Sequence, residues 1–242
     1  MKALILNSGV GRRLHPLTKR IPKPLLVVGN NTILGHQLDS LLSCGVRDVI
    51  ITTGPLENKL KSYMGEKYSD VNASYVRNSR YRTTNYIYSM WLARGSIDDD
   101  IILLHGDLLF ERTLLKKLID KKFPNCVLVN KEIKPPKKDF KAVIKNNRVV
   151  KIGVEFFEKN AFFSAPLYKF SMSDFMLWLY EIGKAVKKGN LKIYAESVFN
   201  EISGKIFLHP LFYAEEICME IDTMEDLKTA RSLFRGGAVH SG

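Results

Sequence analysis

The chain has 242 residues, of which 45% are hydrophobic and 26% are charged. These proportions are ordinary for a globular protein, and the length allows one large α/β domain with its own core. No run of about 18 apolar residues occurs, so we expect no membrane-spanning helix. The three cysteines, Cys44, Cys126 and Cys218, are widely spaced and odd in number. We therefore expect no disulfide framework and a cytoplasmic location.

The formal net charge is +12, from 37 lysines and arginines against 25 acidic residues. Such an excess attracts anions, so nucleic acid has to be considered as a ligand. Much of the charge lies in two local runs, 131–141 and 184–192, which are typical of solvated surface segments. No zinc finger, aromatic RNA-binding signature or basic heptad region accompanies them, and we expect no nucleic-acid partner.

The hydrophobic pattern predicts strands alternating with helices along the chain. The predicted strands are 2–6, 46–53, 72–77, 100–105, 125–130, 140–145, 149–154, 161–170, 205–208 and 217–221. The predicted helices are 33–44 (capped by Thr32), 56–64, 84–94, 113–121, 171–188, 191–203 and 224–234. This order predicts a Rossmann-like α/β/α fold with three layers and a mostly parallel, mixed central sheet. We expect one domain over residues 1–235 and a disordered tail over 236–242.

Three polar segments come directly after predicted strands. A glycine-containing loop follows strand 2–6, Asp107 follows strand 100–105, and Asp222 follows strand 217–221. Sheets of this kind bind ligands at the carboxyl ends of their strands. The sequence therefore predicts that the loop and both aspartates lie at one edge of the sheet.

The N-terminal loop combines two glycines with concentrated positive charge. Gly9 and Gly11 allow the backbone to approach a ligand closely because neither residue has a Cβ atom. The loop lacks the third glycine of the dinucleotide fingerprint and the Gly-Lys-Ser/Thr ending of the P-loop. Bare backbone beside fixed positive charge nevertheless indicates a site for a polyanion. The residues of the motif are, in order, Gly9, Gly11, Arg13, Pro16, Thr18, Pro22, Lys23, Pro24 and Leu25.

This motif resembles the Gly-x-Gly-x-Arg-x-x-Pro-x-Thr and Pro-Lys-Pro-Leu signature of nucleotidyltransferases, which join a nucleoside monophosphate to a phosphorylated small molecule. The resemblance covers residues 1–234 and is strongest over 1–110. It implies that Arg13 and Lys23 are catalytic and neutralise the charge that develops on the α-phosphate and the departing pyrophosphate. Arg12 has no counterpart in the family, and is either solvent-facing or a further phosphate ligand. The nucleotide-binding set that follows is Leu6, Asn7, Ser8, Gly9, Gly11, Arg12, Asn85 and Ser89.

The two aspartates match the family's positions for a magnesium site. Magnesium prefers one or two carboxylates together with phosphate oxygens and waters. The resemblance therefore implies that Asp107 and Asp222 bind Mg²⁺. The alternative for Asp222 is that it only caps the last predicted helix, which begins at Thr223 or Met224.

The segment 78–93 distinguishes between branches of the family. Sugar-1-phosphate members carry a Leu-Gly-Thr-Ala/Gly-Gly segment here, and this chain does not. It is similar instead to the Asn-x-x-Tyr-Ser-Leu-x-Leu-Ala pattern of short cytidylyltransferases that act on phosphocholine or phosphonates. The residues that match this pattern are Asn85, Tyr88, Ser89, Leu92 and Ala93. Asn85 could also be a plain helix cap.

The resemblance implies transfer of CMP from CTP to a small phosphomonoester or phosphonate, such as phosphocholine or 2-aminoethylphosphonate, with release of pyrophosphate. The alternatives are a sugar-1-phosphate nucleotidyltransferase that uses UTP or dTTP, and a non-catalytic binding module. For the acceptor we expect Tyr194 and Glu216 as ligands, since an organic cation favours aromatic rings with a carboxylate nearby. Glu196, Phe156 and Phe162 are further candidates. Acceptor and oligomeric state stay open, and a homodimer is one arrangement that the sequence allows.

Overall fold

The computed structural model describes residues 1–234, and the tail predicted to be disordered lies outside this part. The strands are β1 (Lys2–Asn7), β2 (Val27–Val28), β3 (Asn31–Thr32), β4 (Asp48–Thr53), β5 (Asn72–Arg77), β6 (Ile101–His105), β7 (Leu108–Phe110), β8 (Cys126–Asn130), β9 (Lys141–Lys145), β10 (Arg148–Gly153), β11 (Ala161–Phe170), β12 (His209–Tyr213) and β13 (Cys218–Glu220). The helices are α1 (Ile33–Ser43), α2 (Glu57–Lys67), α3 (Tyr86–Ala93), α4 (Arg112–Asp120), α5 (Met172–Lys187), α6 (Ala195–Ile202) and α7 (Met224–Leu233).

A nine-stranded mixed sheet forms the centre of the protein. Its order is β10-β9-β11-β6-β1-β4-β5, with β8 paired to β11 and β12 paired to β8. The strands β6, β1, β4 and β5 run parallel, and β11 runs antiparallel to β6 and β8. This arrangement confirms the predicted α/β fold with a mixed central sheet.

Helices cover both faces of the sheet. Along β1, Ala3 and Ile5 face one hydrophobic cluster while Leu4 and Leu6 face another, because successive side chains of a strand point to opposite faces. Helices α1, α2 and α4 pack on the first face, and α3, α5 and α6 on the second. The continuous apolar character of β6 has the same cause, since all five of its residues are buried. None of the helices within residues 1–234 is long and apolar enough to cross a membrane.

A third hydrophobic cluster positions the site. Leu14 and Leu26 of the N-terminal segment pack in it with Ile221 and with Leu227 of α7. Burial of leucine-sized side chains is worth about 1.5–3 kcal/mol each. The cluster therefore holds the start of α7, and with it Asp222, beside the loop that follows β1.

Two predicted elements differ from the structure. The strand predicted at 205–208 is wrong, because the strand here is β12, which begins at His209 and pairs parallel with β8. Ile206 and Leu208 are apolar because they are buried in the core beside β10, and only Leu208 forms a bridge, to Val149. The helix predicted from residue 191 begins only at Ala195. Lys192 and Ile193 before it form a bend, and the carbonyl of Leu191 accepts a hydrogen bond from the backbone of Asn85.

Candidate active site

A cavity of about 620 Å³ opens where β1 and β6 end. Segments that are far apart in the chain meet there: the loop after β1, the turn after β6, the start of α3, the loop before β9 and the end of β13. The predicted site residues that line it are Leu6, Asn7, Gly9, Gly11, Arg12, Arg13, Lys23, Asn85, Asp107, Tyr194 and Asp222. The expectation that the loop and both aspartates share one edge of the sheet therefore agrees with the structure.

Two glycines allow the backbone to pack closely around this cavity. Gly11 has a φ of 66°, a left-handed conformation that side chains disfavour, and its carbonyl accepts a hydrogen bond from the Thr18 hydroxyl at 2.7 Å. A Cβ atom on Gly106 would lie 1.5 Å from Oδ1 of Asn7. Gly106 therefore lets the ends of β1 and β6 come together, which places Asp107 next to the loop.

Lys23 lies between the two aspartates. Its Nζ atom is 2.6 Å from Oδ2 of Asp107 and 2.8 Å from Oδ1 of Asp222. Nη2 of Arg13 is 2.9 Å from the same Asp222 oxygen. Burial alone would lower the pKa of Lys23, but the two carboxylates outweigh it and raise that pKa above its ordinary value. Burial would raise the pKa of Asp107, and Lys23 lowers it instead. Both partners are thus held in their charged forms.

Asp107 has one oxygen available for a further ligand. Its Oδ1 atom is buried and makes no hydrogen bond within residues 1–234. One ligand atom each of His105, Asp107 and Glu220 lies within 4.8 Å of the others. Carboxylate oxygens are the ligands that magnesium prefers, so Asp107 fits this metal, whereas Asp222 lies outside this group of three and is joined to Asp107 through Lys23. Asp222 does not cap α7, because Thr223 does so in a capping box with Asp226.

Aromatic side chains form the other end of the cavity. Tyr86 lies 4.7 Å from His105 and 6.1 Å from Tyr194 between ring centroids, and Phe140 lies 5.1 Å from Tyr194 at an interplanar angle of 77°. The Tyr86 hydroxyl donates a hydrogen bond to Glu196, which is 1% exposed. Of the residues we expected to contact the acceptor, Tyr194 is therefore in place, and Glu196 lies behind Tyr86.

Glu216 does not lie where we predicted. It forms an ion pair with Lys117 of α4 and accepts a hydrogen bond from the backbone of Ala214, and it does not line the cavity. The prediction that Glu216 binds the acceptor is therefore wrong. The carboxylate that lies near the aromatic end of the cavity is that of Glu220, whose Oε1 atom is 3.3 Å from Nδ1 of His105.

Two predicted nucleotide ligands have structural contacts instead. The hydroxyls of Ser8 and Ser89 are 2.6 Å apart and buried, and Ser89 also accepts a hydrogen bond from Asn78. Their side chains join the loop to α3 and do not line the cavity, so we correct their predicted role as direct ligands. Asn85 is a helix cap, and its position also allows the predicted contact with the nucleotide. Its side chain caps α3 by accepting a hydrogen bond from the Tyr86 backbone at 2.7 Å, and it lines the cavity.

Sequence reasoning assigned no role to several residues that line the cavity, among them Tyr86, His105, Lys138, Phe140 and Glu220. Two of these residues could have been predicted from their position in the sequence. His105 and Glu220 each stand two residues before a predicted metal ligand, and alternate residues of an extended strand point the same way. Lys138 and Phe140 lie on a loop with no motif, so only the tertiary structure brings them in.

The fold and this site define a nucleotidyltransferase. Residues 2–198, well over half of the chain, match the model of the nucleotidyl transferase family, and the protein belongs to this family. A CMP-5'-(3-aminopropyl)phosphonate synthase from Streptomyces rubellomurinus is 34% identical over 135 residues, which are 56% of this chain and 22% of the relative. A CTP:phosphoglutamine cytidylyltransferase from Campylobacter jejuni is 31% identical over 137 residues, which are 54% of this chain and 53% of the relative. The matched region thus spans about half of the second relative and less of the first.

The fold is also that of solved structures. The CTP:phosphocholine cytidylyltransferase from Streptococcus pneumoniae superposes with a TM-score of 0.76 at 21% identity, over 96% of this chain and 98% of the other. The agreement extends over nearly the whole of both chains and confirms the Rossmann-like fold of this family.

Proposed function

We propose that this protein is a cytidylyltransferase that transfers CMP from CTP to a small phosphomonoester or phosphonate and releases pyrophosphate. The observation that carries the proposal is the position of Lys23, which joins Asp107 and Asp222 beside the glycine loop. Two carboxylates, of Asp107 and Asp222, and two cations, Lys23 and Arg13, therefore lie beside the loop whose backbone amides would bind a triphosphate. Fixed charge of this kind is what phosphoryl-transfer chemistry requires, since no covalent intermediate is needed.

The roles of the side chains follow from their charges. The acceptor's phosphate or phosphonate is already an anion near neutral pH, so it can attack the α-phosphate of CTP without a strong general base. Lys23 and Arg13 lower the barrier by neutralising charge on the α-phosphate and on the pyrophosphate as it leaves. The amides of the loop around Gly9 and Gly11 bind the phosphate oxygens as hydrogen-bond donors.

Asp107 and Asp222 would hold a magnesium ion, for which the unpartnered Oδ1 atom of Asp107 is available. When bound, this ion supplies positive charge that stabilises the transferred phosphoryl group. Lys23 lines the cavity together with Gly9 and Gly11, so it lies close enough to contact the phosphates of a bound nucleotide as well. In its position between the two carboxylates, the pKa of Lys23 is raised and the side chain is cationic.

Two features support cytidine as the nucleoside and an amine-bearing acceptor. The chain lacks the glycine-rich segment of sugar-1-phosphate members and has Asn85 as the cap of α3, within a segment that resembles that of short cytidylyltransferases. At the other end of the cavity, Tyr86, Phe140 and Tyr194 provide aromatic faces beside the carboxylate of Glu220. An organic cation is attracted to ring faces and to carboxylates, by about 0.5–2 kcal/mol per ring. The names of two similar proteins include an aminopropylphosphonate and phosphocholine, and each of these compounds carries such a cation.

The test is an incubation of the purified protein with magnesium, one nucleotide and one acceptor at a time. The nucleotides are CTP, UTP and dTTP, and the acceptors are phosphocholine, 2-aminoethylphosphonate, 2-hydroxyethylphosphonate, phosphoglutamine and glucose 1-phosphate. We expect pyrophosphate release, and a CMP conjugate by mass spectrometry, only with CTP and a non-sugar acceptor. Turnover of glucose 1-phosphate with UTP or dTTP, and none with CTP, would overturn the proposal.

A further inference from the structure

We infer that Lys138 is the binding residue for the phosphate or phosphonate group of the acceptor, and that its ion pair with Asp226 is the position it holds before the acceptor arrives. This inference rests on the proposed function and assigns a role to a residue outside the family's motif. Its ligand class is a small phosphate or phosphonate anion.

The first argument is the placement of positive charge around the cavity. Among the described residues that line it, the cations are Arg12, Arg13, Lys23 and Lys138. The first three belong to the N-terminal loop, where the triphosphate is expected. Lys138 comes instead from the loop between β8 and β9, which also carries Phe140 into the aromatic end of the cavity. Of these four cations, Lys138 is therefore the one whose loop also forms the aromatic end of the cavity, where we place the acceptor.

The second argument is that Asp226 does not depend on Lys138. The Nζ atom of Lys138 is 2.8 Å from Oδ2 of Asp226. The same oxygen accepts hydrogen bonds from the backbone amides of Asp222 at 3.0 Å and Thr223 at 2.9 Å, at the start of α7. If Lys138 moves away, the carboxylate keeps two amide donors and the favourable end of the helix dipole. The ammonium group can therefore change partner at little cost, and its side chain is 39% exposed and free to turn.

The third argument is that the backbone next to Lys138 is held in place. The buried ammonium group of Lys141 donates hydrogen bonds to the carbonyls of Lys137 at 3.0 Å and of Val154 at 2.9 Å. Lys137 precedes Lys138, and Val154 lines the cavity. Because the loop is fixed to the wall of the cavity, only the side chain of Lys138 has to turn in order to exchange Asp226 for a bound anion.

The proposed reaction requires a positive charge near the incoming acceptor. Two anions, the acceptor and the α-phosphate of CTP, must approach each other in line, and the leaving pyrophosphate lies on the far side. The charges at Lys23 and Arg13 stabilise the nucleotide. A lysine on the near side offsets the repulsion of the incoming anion, and a mobile ammonium group is a common phosphate ligand.

The test compares four variants with the wild type, using CTP and the best acceptor found in the screen. We expect Lys138→Met to raise KM for the acceptor at least tenfold and to leave the Kd of CTP, measured by calorimetry, within a factor of two. Lys138→Arg should recover part of the affinity. Lys134→Met is the matched control, because Lys134 is an exposed lysine of the same loop that does not line the cavity.

Asp226→Asn separates binding from support of the loop, because it removes the ion pair and leaves Lys138 in place. If Lys138 binds the acceptor, KM for the acceptor stays at or below the wild-type value in Asp226→Asn. If the ion pair only holds the loop, Asp226→Asn and Lys138→Met weaken acceptor binding equally, and the inference is wrong. An unchanged acceptor KM in Lys138→Met, with an active wild type, also overturns it and leaves the proposed function standing. If the wild type converts none of the acceptors, both fail together.

Discussion

Lys23 and Asp107 form a largely buried ion pair, with 2.6 Å between Nζ and Oδ2. Asp222 accepts a hydrogen bond from the same ammonium group at 2.8 Å, so one lysine is the counterion of two carboxylates that lie far apart in the chain. The lysine thus occupies the space between two acidic groups that fit a magnesium ion. If these carboxylates bind Mg²⁺, as we propose, the ion competes with Lys23 for them.

The first prediction concerns cation binding without nucleotide. In Lys23→Met the carboxylates of Asp107 and Asp222 lose their shared counterion. We expect the affinity for Mn²⁺, measured by electron paramagnetic resonance titration, to rise by about tenfold or more, because an adjacent cation stabilises a carboxylate by about 1–3 pKa units. Lys19→Met is the control, since Lys19 is an exposed lysine of the same segment outside the cavity. Equal or weaker Mn²⁺ binding in Lys23→Met would show that the two aspartates do not form the cation site.

Local pattern was enough to predict several strands of the central sheet and the position of the two aspartates. Strands Asn72–Arg77 and Ala161–Phe170 begin and end where we predicted them, because their apolar residues stop at clear polar or turn residues. Asp107 and Asp222 could be placed together because both follow strands, and such ends share one edge of the sheet. These inferences depend only on short-range sequence and a general property of α/β sheets.

The acceptor end could not be predicted in the same way. Which carboxylate of the segment 216–220 faces the cavity depends on the pairing of β13 with β7, a ladder only three residues long. That pairing directs Glu220 inward and leaves Glu216 with Lys117. Phe140 reaches the cavity because β9 pairs with β11. Contacts between residues so far apart in the chain leave no periodic trace in the sequence.

The second prediction concerns Gly106. In Gly106→Ala the new Cβ would lie 1.5 Å from Oδ1 of Asn7 and 2.9 Å from the carbonyl of Leu6, so the ends of β1 and β6 must separate. We expect a loss of about 1–3 kcal/mol in the free energy of unfolding, measured with urea, as for other overpacked sites. Gly65→Ala is the control, since a Cβ there meets nothing within 4 Å and the residue lies inside α2. Stability of Gly106→Ala equal to that of the wild type would mean that the close approach is not needed.

The third prediction concerns the buried carboxylate behind the aromatic end. Glu196 accepts hydrogen bonds from the hydroxyls of Tyr86 and Tyr168 and lies outside the ion pairs of the described residues. In Tyr168→Phe one carboxylate oxygen loses its donor, and we expect a loss of about 1–3 kcal/mol in the free energy of unfolding. Tyr180→Phe serves for comparison, because Tyr180 is 63% exposed. Indistinguishable urea midpoints for the two variants would contradict this reading of Glu196.

The fourth prediction concerns the charge of the acceptor. Glu220 is the carboxylate that lines the aromatic end, and Glu216 lies outside it. We expect Glu220→Gln to raise KM about fivefold to tenfold for an amine-bearing acceptor such as phosphocholine, and much less for ethyl phosphate, since loss of a close charge costs roughly 1 kcal/mol. Glu216→Gln should leave both KM values unchanged. Equal effects of Glu220→Gln on charged and uncharged acceptors would exclude Glu220 as the partner of the amine.

The proposal that this cavity transfers a nucleotidyl group depends most directly on Asp107. Its carboxylate contacts Lys23, and it keeps one buried oxygen without a partner. In Asp107→Asn the charge is lost and the shape is kept, so the fold should remain intact by circular dichroism. The control is Asp120→Asn, which changes an exposed aspartate that pairs with Lys116 on α4.

The measurement is the rate of pyrophosphate release from CTP in the presence of magnesium and the best acceptor. We expect Asp107→Asn to be at least about 100-fold slower than the wild type, a loss typical of removing one electrostatic group from such a site. Asp120→Asn should match the wild type. Near-normal pyrophosphate release by folded Asp107→Asn would contradict the assignment of this cavity as the active site.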